Sequence, residues 1–374
     1  MTRRRIAVLT GGRSSEHDVA LASARSVLAA LDPARYDVVV VEISRDGRWS
    51  LEARSTLARP DPDSAGHPSV TDTASRRIPA EGEIPYAAPS GGGGAAATLP
   101  VPASSDGVMA VLGEVDVVLP VLHGPFGEDG TVQGLLELAG KPYVGAGVLG
   151  SALAMDKDIF KVVMRGAGIP VTRSVTLRRS SPIEHPFDYP VFVKPARLGS
   201  SVGISKVTGP EALEPAVALA RRHDEKVLIE EFVDGVEVEC GVLGNELPQA
   251  SVPGEIVPHG FGDADWYDYS AKYDEGGMDL IVPPRISAEQ VRRVQEISVD
   301  AFLAADCEGM ARVDCFVTRA GDVLVNELNT IPGFTSTSVY AKLFEASGIA
   351  YGELLERLLE LALERHERRS RLAY

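Results

Sequence analysis

Two neighbouring segments near the end of the chain combine acidic, amide and basic side chains within apolar surroundings. Arg312 and Asp314 alternate along one predicted strand, and Glu327 and Asn329 alternate along the next. Because alternate residues of a strand share one face, two carboxylates and an amide oxygen converge if these strands pair. Such hard oxygen ligands suit Mg²⁺ that bridges nucleotide phosphates, and Arg312 can stabilise charge on a transferring phosphoryl group. A cross-strand ion pair on a solvated face is the alternative, which the apolar surroundings and the donor-rich loop 330–338 disfavour.

A glycine- and serine-rich loop follows an apolar strand that ends in Lys194. The small residues of positions 196–204 let backbone N–H groups close over phosphate oxygens, and Lys194 supplies positive charge. A flexible hairpin with a solvated lysine explains this segment equally well when it is considered alone.

Residues 145–150 match the glycine pattern of dinucleotide-binding folds. No acidic residue follows about 20 positions later to bind a ribose, and the pattern does not lie at the first β-α turn of the chain. A hinge between domains is therefore the better interpretation. The glycine-lysine motif of P-loop proteins does not occur in the sequence.

Composition limits the class of protein. The chain has 374 residues and a formal net charge of −16, so we expect two or three domains and neither nucleic acid nor an anionic membrane as the main partner. It has no apolar run of about 18 residues, and its N-terminal apolar stretch is too short for a signal peptide. None of the three cysteines lies in a Cys-x-x-Cys pair, which excludes a disulfide framework and a cysteine zinc site. We expect a soluble cytoplasmic protein.

The first elements predict an α/β fold. An apolar strand at 6–10, a glycine turn, a helix and a valine-rich strand at 36–43 form a β-α-β unit with a parallel sheet. Another apolar strand, at 115–122, ends in the polar run 123–130, where open α/β sheets bind ligands. Residues 59–107 are rich in proline, glycine and alanine, and we interpret them as a partly disordered surface insertion.

The remaining elements follow from apolar periodicity and helix-capping signals. We expect one helix from Ser151 to Gly166 and a second one that opens with a capping box at Ser287 and Gln290. The predicted strands are 191–194, 227–231, 236–243, 310–318 and 322–327. A leucine-rich stripe on the C-terminal helix predicts a core or dimer surface.

Several of these motifs occur together in a known order, and the chain resembles the D-alanine–D-alanine ligase family, which has the ATP-grasp fold. The resemblance covers nearly the whole chain apart from residues 59–107. The motifs that carry it are Gly11 to Glu16, His123 to Gly130, Met155 to Lys157, Gly199 to Gly203, Tyr267 to Tyr273 and the two strands of the proposed metal site.

The resemblance implies an α/β ATP-grasp fold of three domains. These would be an N-terminal parallel-sheet (pre-ATP-grasp) domain at 1–145, a central ATP-grasp domain at 146–234 and a C-terminal catalytic domain at 235–374. It also implies a cytoplasmic homodimer whose partners are the small molecules D-alanine and ATP.

The resemblance assigns site residues by role. The residues implied to bind ATP are Lys157, Lys194, Glu230, Glu231, Phe232, Val233, Glu237 and Lys272. The residues implied to hold two Mg²⁺ (or Mn²⁺) ions are Asp314, Glu327 and Asn329. The residues implied to bind D-alanine are Glu16, His123 and Ser338, with the Glu16 carboxylate on the first ammonium group. Hydrogen bonds would link Glu16, Ser200 and Tyr273, while Arg312 and the Gly333 N–H would stabilise the oxyanion.

The implied reaction joins two D-alanines through a D-alanyl phosphate, with release of ADP and phosphate, for peptidoglycan precursor synthesis. A ligase that adds D-lactate or D-serine is the nearest alternative, and Tyr273 favours D-alanine. A non-catalytic ATP-binding regulator has no use for Arg312 together with the full metal-ligand set. A nicotinamide oxidoreductase built on residues 145–150 lacks the acidic partner.

Overall fold

The structure is a computed structural model that describes residues 3–52, 106–199, 202–258 and 278–373. Most of the predicted insertion lies outside the described residues, as do Ser200, Lys272 and Tyr273. Among the described residues, no helix is both long and apolar enough to cross a lipid bilayer.

The N-terminal part confirms the predicted β-α-β unit. Its elements are β1 (Arg4–Gly11), α1 (His17–Ala30), β2 (Tyr36–Ile43), β3 (Trp49–Glu52), α2 (Asp106–Glu114), β4 (Val117–Pro120) and α3 (Thr131–Leu138). The sheet order is β3–β2–β1–β4, in which β1 pairs in parallel with β2 and β4, and β3 is an antiparallel edge strand. Strand β1 is apolar and buried over most of its length, as expected for a strand covered on both faces. Helix α2 was not predicted, because its residues lie within and just after the insertion predicted for 59–107 and before the strand predicted for 115–122.

The central part is a four-stranded antiparallel sheet with helices beside it. Its elements are α4 (Val148–Met155), α5 (Lys157–Gly166), β5 (Ser174–Leu177), β6 (Val191–Pro195), β7 (Ser205–Val207), α6 (Leu213–Ala220) and β8 (Val227–Glu231). The sheet order is β5–β8–β6–β7. The single helix predicted for 151–166 is wrong, because Asp156 has an extended backbone and its side chain accepts a hydrogen bond from the Ile159 N–H. The chain therefore forms two helices that meet at Asp156.

The C-terminal part contains the largest sheet. Its elements are β9 (Gly235–Gly244), β10 (Gln249–Ala250), β11 (Gly254–Pro258), β12 (Met278–Ile281), α7 (Ala288–Ala304), β13 (Gly309–Thr318), β14 (Val323–Asn329), α8 (Val339–Ala346) and α9 (Tyr351–Ser370). The sheet order is β12–β11–β9–β13–β14, and β10 pairs with β9. Ser287 and Gln290 form the predicted capping box of α7. The predicted pairing of β13 with β14 is confirmed.

The C-terminal helix closes the N-terminal sheet. Leu354 and Leu358 of α9 lie in one buried cluster with Ile6 of β1 and Leu119 of β4. The leucine stripe of α9 is therefore core rather than an exposed surface. The domain boundaries near residues 145 and 234 stay predictions, although the three sheets occupy successive stretches of the chain.

The glycines of the dinucleotide-like pattern permit close packing in this fold. A Cβ atom at Gly150 would lie 2.9 Å from the Asp306 carbonyl oxygen, and one at Gly309 would lie 3.1 Å from the Gly145 nitrogen. The buried Arg365 of α9 donates hydrogen bonds to the carbonyls of Tyr143 and Gly145. The segment 145–150 thus has a packing role that requires no nucleotide.

Candidate active site

A cleft of about 560 Å³ lies where the three parts of the chain meet. Residues of all three parts line it. Of the described residues implied to bind ATP, none is on its wall, and neither is Asp314. The predicted site residues on its wall are Glu16, His123, Arg312, Glu327, Asn329, Gly333 and Ser338. Further polar residues on the wall are Glu128, Glu239 and Lys342.

Strands β13 and β14 bring the predicted metal and phosphate residues together. Arg312 pairs with Asn329 across the two strands, and Asp314 pairs with Glu327. The Arg312 guanidinium binds both oxygens of Asp314, at 2.7 Å each, and Asn329 donates from Nδ2 to Asp314 at 3.0 Å. A backbone irregularity directly after Asp314 shifts the register of the two strands. The alternation in the sequence thus predicted this cluster correctly.

Arg312 is held by two acidic residues. Besides Asp314, it contacts the Glu239 carboxylate of β9, with Nε 3.0 Å from Oε2. Burial lowers the pKa of Arg312, but the charges of Asp314 and Glu239 outweigh that effect and raise the pKa well above its ordinary value. Arg312 therefore remains charged, and its position is fixed from two strands. The sequence interpretation missed Glu239, although alternation with Glu237 along β9 places it on one face with that residue.

Helix α5 directs Lys157 at the strand pair. The Lys157 ammonium lies 3.2 Å from Glu327 and donates to the Leu198 carbonyl at 2.8 Å. Leu198 belongs to the glycine- and serine-rich loop, and Glu327 belongs to β14. Lys157 therefore links the loop to the acidic cluster.

Lys194 lies beside a buried carboxylate at the end of β6. Its ammonium group is 2.5 Å from Glu230 Oε2, while Glu230 Oε1 is 3.1 Å from the ammonium of Lys161. The Glu230 side chain thus points at two lysines, whereas the neighbouring Glu231 forms an ion pair with Arg173 at 3.1 Å. The sequence interpretation did not single out Lys161.

The Glu16 side chain, at the start of α1, lies close to Gly124 and Gly199. It is buried, and a Cβ atom at Gly124 would lie 2.7 Å from Glu16 Oε2. Gly124 also has φ +72°, in the left-handed region that favours glycine. A Cβ at Gly199 would lie 3.4 Å from the same oxygen. The Glu16 carboxylate therefore lies between the polar run 123–130 and the glycine- and serine-rich loop.

His123 forms part of the cleft wall with both ring nitrogens engaged. Nδ1 lies 2.9 Å from the Ile331 carbonyl oxygen, which can only accept, so Nδ1 carries a proton. Nε2 lies 3.4 Å from the Ser23 hydroxyl, and Ser23 Oγ accepts from the Phe334 N–H at 3.3 Å. Burial lowers the pKa of His123 and favours its neutral form. His123 thus holds the loop that contains Gly333.

Glu128 holds the same loop and was not predicted. One of its oxygens accepts from the Gly124 N–H at 2.8 Å, and the other accepts from the Ile331 N–H at 3.2 Å. Burial, with a smaller effect from the charge of Glu16, raises the pKa of Glu128 to about 8. His123 binds the Ile331 carbonyl, and Glu128 binds the Ile331 N–H. Together these two side chains therefore hold both backbone polar groups of Ile331.

Ser338 lies at the N-terminus of α8, opposite Gly333. Its hydroxyl accepts a hydrogen bond from the Thr335 N–H at 3.0 Å and lies 2.7 Å from the Thr335 hydroxyl. A Cβ atom at Gly333 would lie 3.3 Å from Ser338 Oγ. Hydroxyl groups, backbone N–H groups and the positive end of a helix dipole therefore collect on one wall of the cleft, where they favour an anionic group.

The cluster on β13 and β14 fits a magnesium site in its chemistry. Asp314, Glu327 and Asn329 supply carboxylate and amide oxygens, the ligands that Mg²⁺ prefers, and two of the three residues line the cleft. Among the described residues, no group of three or more histidine, cysteine or acidic side chains is arranged around a common point. The proposed ligand set contains one amide, that of Asn329. Of its two carboxylates, Asp314 contacts Arg312 and Glu327 contacts Lys157.

Comparison with known proteins gives matches over almost the whole chain. The family model described as D-ala D-ala ligase N-terminus matches residues 5–146, and the one described as D-ala D-ala ligase C-terminus matches residues 163–360. A D-alanine–D-alanine ligase A from Mesorhizobium japonicum is 46% identical, with 98% of this chain and 99% of that protein covered.

Two solved structures are also similar to the chain. The D-alanine–D-alanine ligase from Coxiella burnetii has a TM-score of 0.78 and 35% identity, with 99% of this chain and 97% of that chain covered. The VanG D-Ala:D-Ser ligase from Enterococcus faecalis has a TM-score of 0.75 and 34% identity, with 96% of this chain and 100% of that chain covered.

Proposed function

This chain belongs to the D-alanine–D-alanine ligase family, and we propose that it joins two D-alanine molecules at the expense of ATP. A carboxylate oxygen of the first D-alanine attacks the γ-phosphorus, and the bond to the β-phosphate oxygen breaks to release ADP. The amine of the second D-alanine then attacks the carbonyl carbon of the D-alanyl phosphate. The tetrahedral intermediate expels phosphate, and the amine gives up its proton to leave the amide bond.

Two lysines beside the glycine- and serine-rich loop fit the nucleotide phosphates. We assign Lys157 and Lys194 to the ATP phosphates, since both are held near the loop that follows β6. We assign residues 230–233 to the adenine and Glu237 to the ribose hydroxyls. Phe232 is partly exposed, with the Lys206 ammonium over its ring at 5.2 Å, so an aromatic surface is present at this position.

The cleft wall that contains Glu16, His123 and Ser338 fits the amino acids. We assign the Glu16 carboxylate to the ammonium of the first D-alanine, with His123 in the adjoining wall. The hydroxyl of Ser338 and the N-terminus of α8 are assigned to the second carboxylate. Ser200, Lys272 and Tyr273 lie outside the described residues, and their roles in closure over the substrates stay predictions.

Two hydrogen-bond donors fit the negative charge that develops on the tetrahedral intermediate. We assign Arg312 and the backbone N–H of Gly333 to the oxyanion of the tetrahedral intermediate, because both line the same cleft. The ion pairs of Arg312 with Asp314 and Glu239 hold its guanidinium in one orientation. The residues that hold Ile331 position Gly333 two residues further on. Positioning and charge neutralisation thus account for most of the proposed catalysis.

We assign Asp314, Glu327 and Asn329 to two Mg²⁺ ions. When bound, these ions would neutralise charge on the ATP phosphates as the γ-phosphoryl group is transferred. The donor set supports this assignment, since it combines two carboxylates and an amide, of which Glu327 and Asn329 line the cleft. Arg312 and Lys157 contact the same carboxylates and would orient them for a second cation.

The wider setting follows from the family. We propose that the chain makes a peptidoglycan precursor, works in the cytoplasm and forms a homodimer. Light scattering on the purified protein across a concentration series measures the oligomeric state, and a monomer at all concentrations would contradict the dimer.

The observation that carries the proposed function is the convergence of Glu16, Arg312, Glu327 and Gly333 on one cleft within a chain of this family. A coupled assay of ADP release, with D-alanine, D-lactate and D-serine each alone and in pairs, tests it. We expect turnover with D-alanine alone and D-alanyl-D-alanine as the product by mass spectrometry. Release that requires D-serine or D-lactate would indicate the alternative ligases, and binding of ATP without turnover would indicate a regulator.

A further inference from the structure

Lys161 is a fully buried lysine that the proposed reaction does not use. It lies one helical turn after Lys157 on α5, and none of its surface is exposed. Its ammonium donates hydrogen bonds to the Thr172 hydroxyl and, at 3.2 Å, to the Asn326 carbonyl. Its ion-pair partner is Glu230, at 3.1 Å. Burying a charged lysine is costly, so a side chain that served packing alone would be better replaced by an apolar one.

Glu230 divides its carboxylate between two lysines. Oε1 contacts Lys161, and Oε2 contacts Lys194 at 2.5 Å. Lys194 also lies 3.5 Å from the Asn326 side-chain oxygen, so Asn326 contacts both lysines. The four residues come from α5, β6, β8 and β14 and form one cluster across two sheets, in which Lys161, Lys194 and Glu230 are buried.

The charge of this cluster depends on Lys161. Two ammonium groups and one carboxylate leave a net charge of one positive unit, whereas Lys194 and Glu230 alone would form a neutral pair. We propose that Lys161 is a positioning residue for ATP: by sharing Glu230, it keeps Lys194 from being neutralised and leaves its positive charge for a phosphate. In the cluster without Lys161, the Glu230 carboxylate and the phosphate compete for Lys194.

The pKa shifts of Lys161 and Glu230 agree with a carboxylate shared by two ammonium groups. Burial lowers the pKa of Lys161 to about 8, although the charge of Glu230 opposes this effect. Burial acts to raise the pKa of Glu230, but the charges of Lys161 and Lys194 outweigh it and lower the pKa. Glu230 is therefore ionised when both lysines are present.

Equilibrium titration with ATP and Mg²⁺, in the absence of D-alanine, tests the inference, which rests on the proposed function only in taking ATP as the ligand of Lys194. We expect Lys161→Met to weaken ATP binding about tenfold, because a neutral pair replaces a positive cluster. In a Glu230→Gln background no carboxylate can neutralise Lys194, so we expect Lys161→Met to change ATP affinity there by less than about threefold relative to Glu230→Gln alone. In the ligase assay, Lys161→Met should raise the KM for ATP and leave the KM for D-alanine nearly unchanged.

The matched control is Arg365→Met, which removes a similarly buried cation whose partners are the carbonyls of Tyr143 and Gly145. It should lower the melting temperature and leave ATP affinity unchanged. Unchanged ATP affinity in Lys161→Met would overturn the inference, as would a further loss of about tenfold or more when Lys161→Met is added to Glu230→Gln. The comparison within the Glu230→Gln background decides the inference even if Lys161→Met alone does not fold. A wild-type chain that fails to bind ATP would overturn the proposed function as well.

Discussion

We expect the two proposed metal ligands on the cleft wall, Glu327 and Asn329, to have unequal roles. Glu327 contacts Lys157 and, in the proposed site, is shared by two metal ions, whereas Asn329 adds one neutral oxygen. We expect Glu327→Gln to reduce turnover more than Asn329→Ala, because the loss of a charge at a shared position removes stabilisation from both ions. The measurement is turnover against Mg²⁺ concentration for both variants, with circular dichroism as the control for folding. Near-normal turnover of Glu327→Gln at millimolar Mg²⁺ would show that the metal assignment is wrong.

Glu128 gives the cleft a pH-dependent stability. Its pKa of about 8 in the folded chain lies above the ordinary carboxyl value of 4.5, so folding favours the protonated form. The contribution of Glu128 is fully present below pH 4.5 and is lost as the pH rises through about 8. The wild type should therefore lose stability relative to Glu128→Gln over this range, by at most about 1.4 kcal/mol per pH unit. Urea unfolding of both proteins at several pH values measures the difference, and parallel profiles would contradict the assigned pKa.

Residues close in sequence were predictable, and residues brought together by the tertiary fold were not. Alternation along one strand placed Arg312 and Asp314 on the same face, and the structure agrees. Glu128 binds Ile331, which is 203 residues away in the chain, and no periodicity in the sequence predicts that contact. Lys161 shares a face of α5 with Lys157, but only the pairing of β6 with β8 brings Glu230 between it and Lys194.

At the scale of elements, helix α4 depends on a glycine at its contact with the turn after α7. A Cβ at Gly150 would lie 2.9 Å from the Asp306 carbonyl oxygen and 3.2 Å from Cys307 Sγ. We expect Gly150→Ala to lower the free energy of unfolding by about 1–3 kcal/mol, since overpacking displaces backbone here. Thermal unfolding measures this effect.

The matched control is Gly134→Ala within α3, where an added Cβ meets no atom within 4 Å. It should stabilise the chain by about 0.5–1 kcal/mol through helix propensity alone. If Gly150→Ala stabilises the chain as much as Gly134→Ala does, the close approach of α4 to the turn after α7 is not a constraint on the fold.

Element types followed from the sequence more closely than element boundaries did. The apolar strands β1, β2 and β8 occur where continuous apolar runs predicted them. The helix predicted for 151–166 is interrupted because Asp156 can bond the Ile159 N–H as a cap, a local alternative to continuing the helix. Such a cap competes with continuation of the helix within a single turn. The apolar pattern on both sides of Asp156 is the same whether the helix continues or is interrupted, so this pattern does not reveal the interruption.

At the scale of the whole molecule, the cleft depends on contacts between distant parts of the chain. Helix α9 packs on the N-terminal sheet, and its Arg365 binds the segment that leads to α4. The polar run 123–130 binds the loop at Ile331. The N-terminal part and the end of the chain are thus one packed body around the substrate side of the cleft.

The long insertion should contribute little to this body. Strand β3 ends at Glu52, and α2, which begins at Asp106, packs beside β3. We expect deletion of Pro60–Ser104, with a short flexible linker in its place, to leave folding and turnover nearly unchanged. Loop closure depends weakly on length, by about 0.6 kcal/mol per doubling. A large drop in melting temperature or turnover in the deletion variant would show that the segment packs on the fold or contacts substrate.

In the proposed reaction, the protein activates a D-alanine carboxylate with ATP before the amide bond forms. D-alanine labelled with ¹⁸O in its carboxylate tests this claim most directly when the purified protein is incubated with it, ATP and Mg²⁺. Phosphoryl transfer to a carboxylate oxygen, followed by expulsion of phosphate, predicts one labelled oxygen in the inorganic phosphate for each D-alanyl-D-alanine formed. Unlabelled phosphate, or ADP release without dipeptide, would contradict the account.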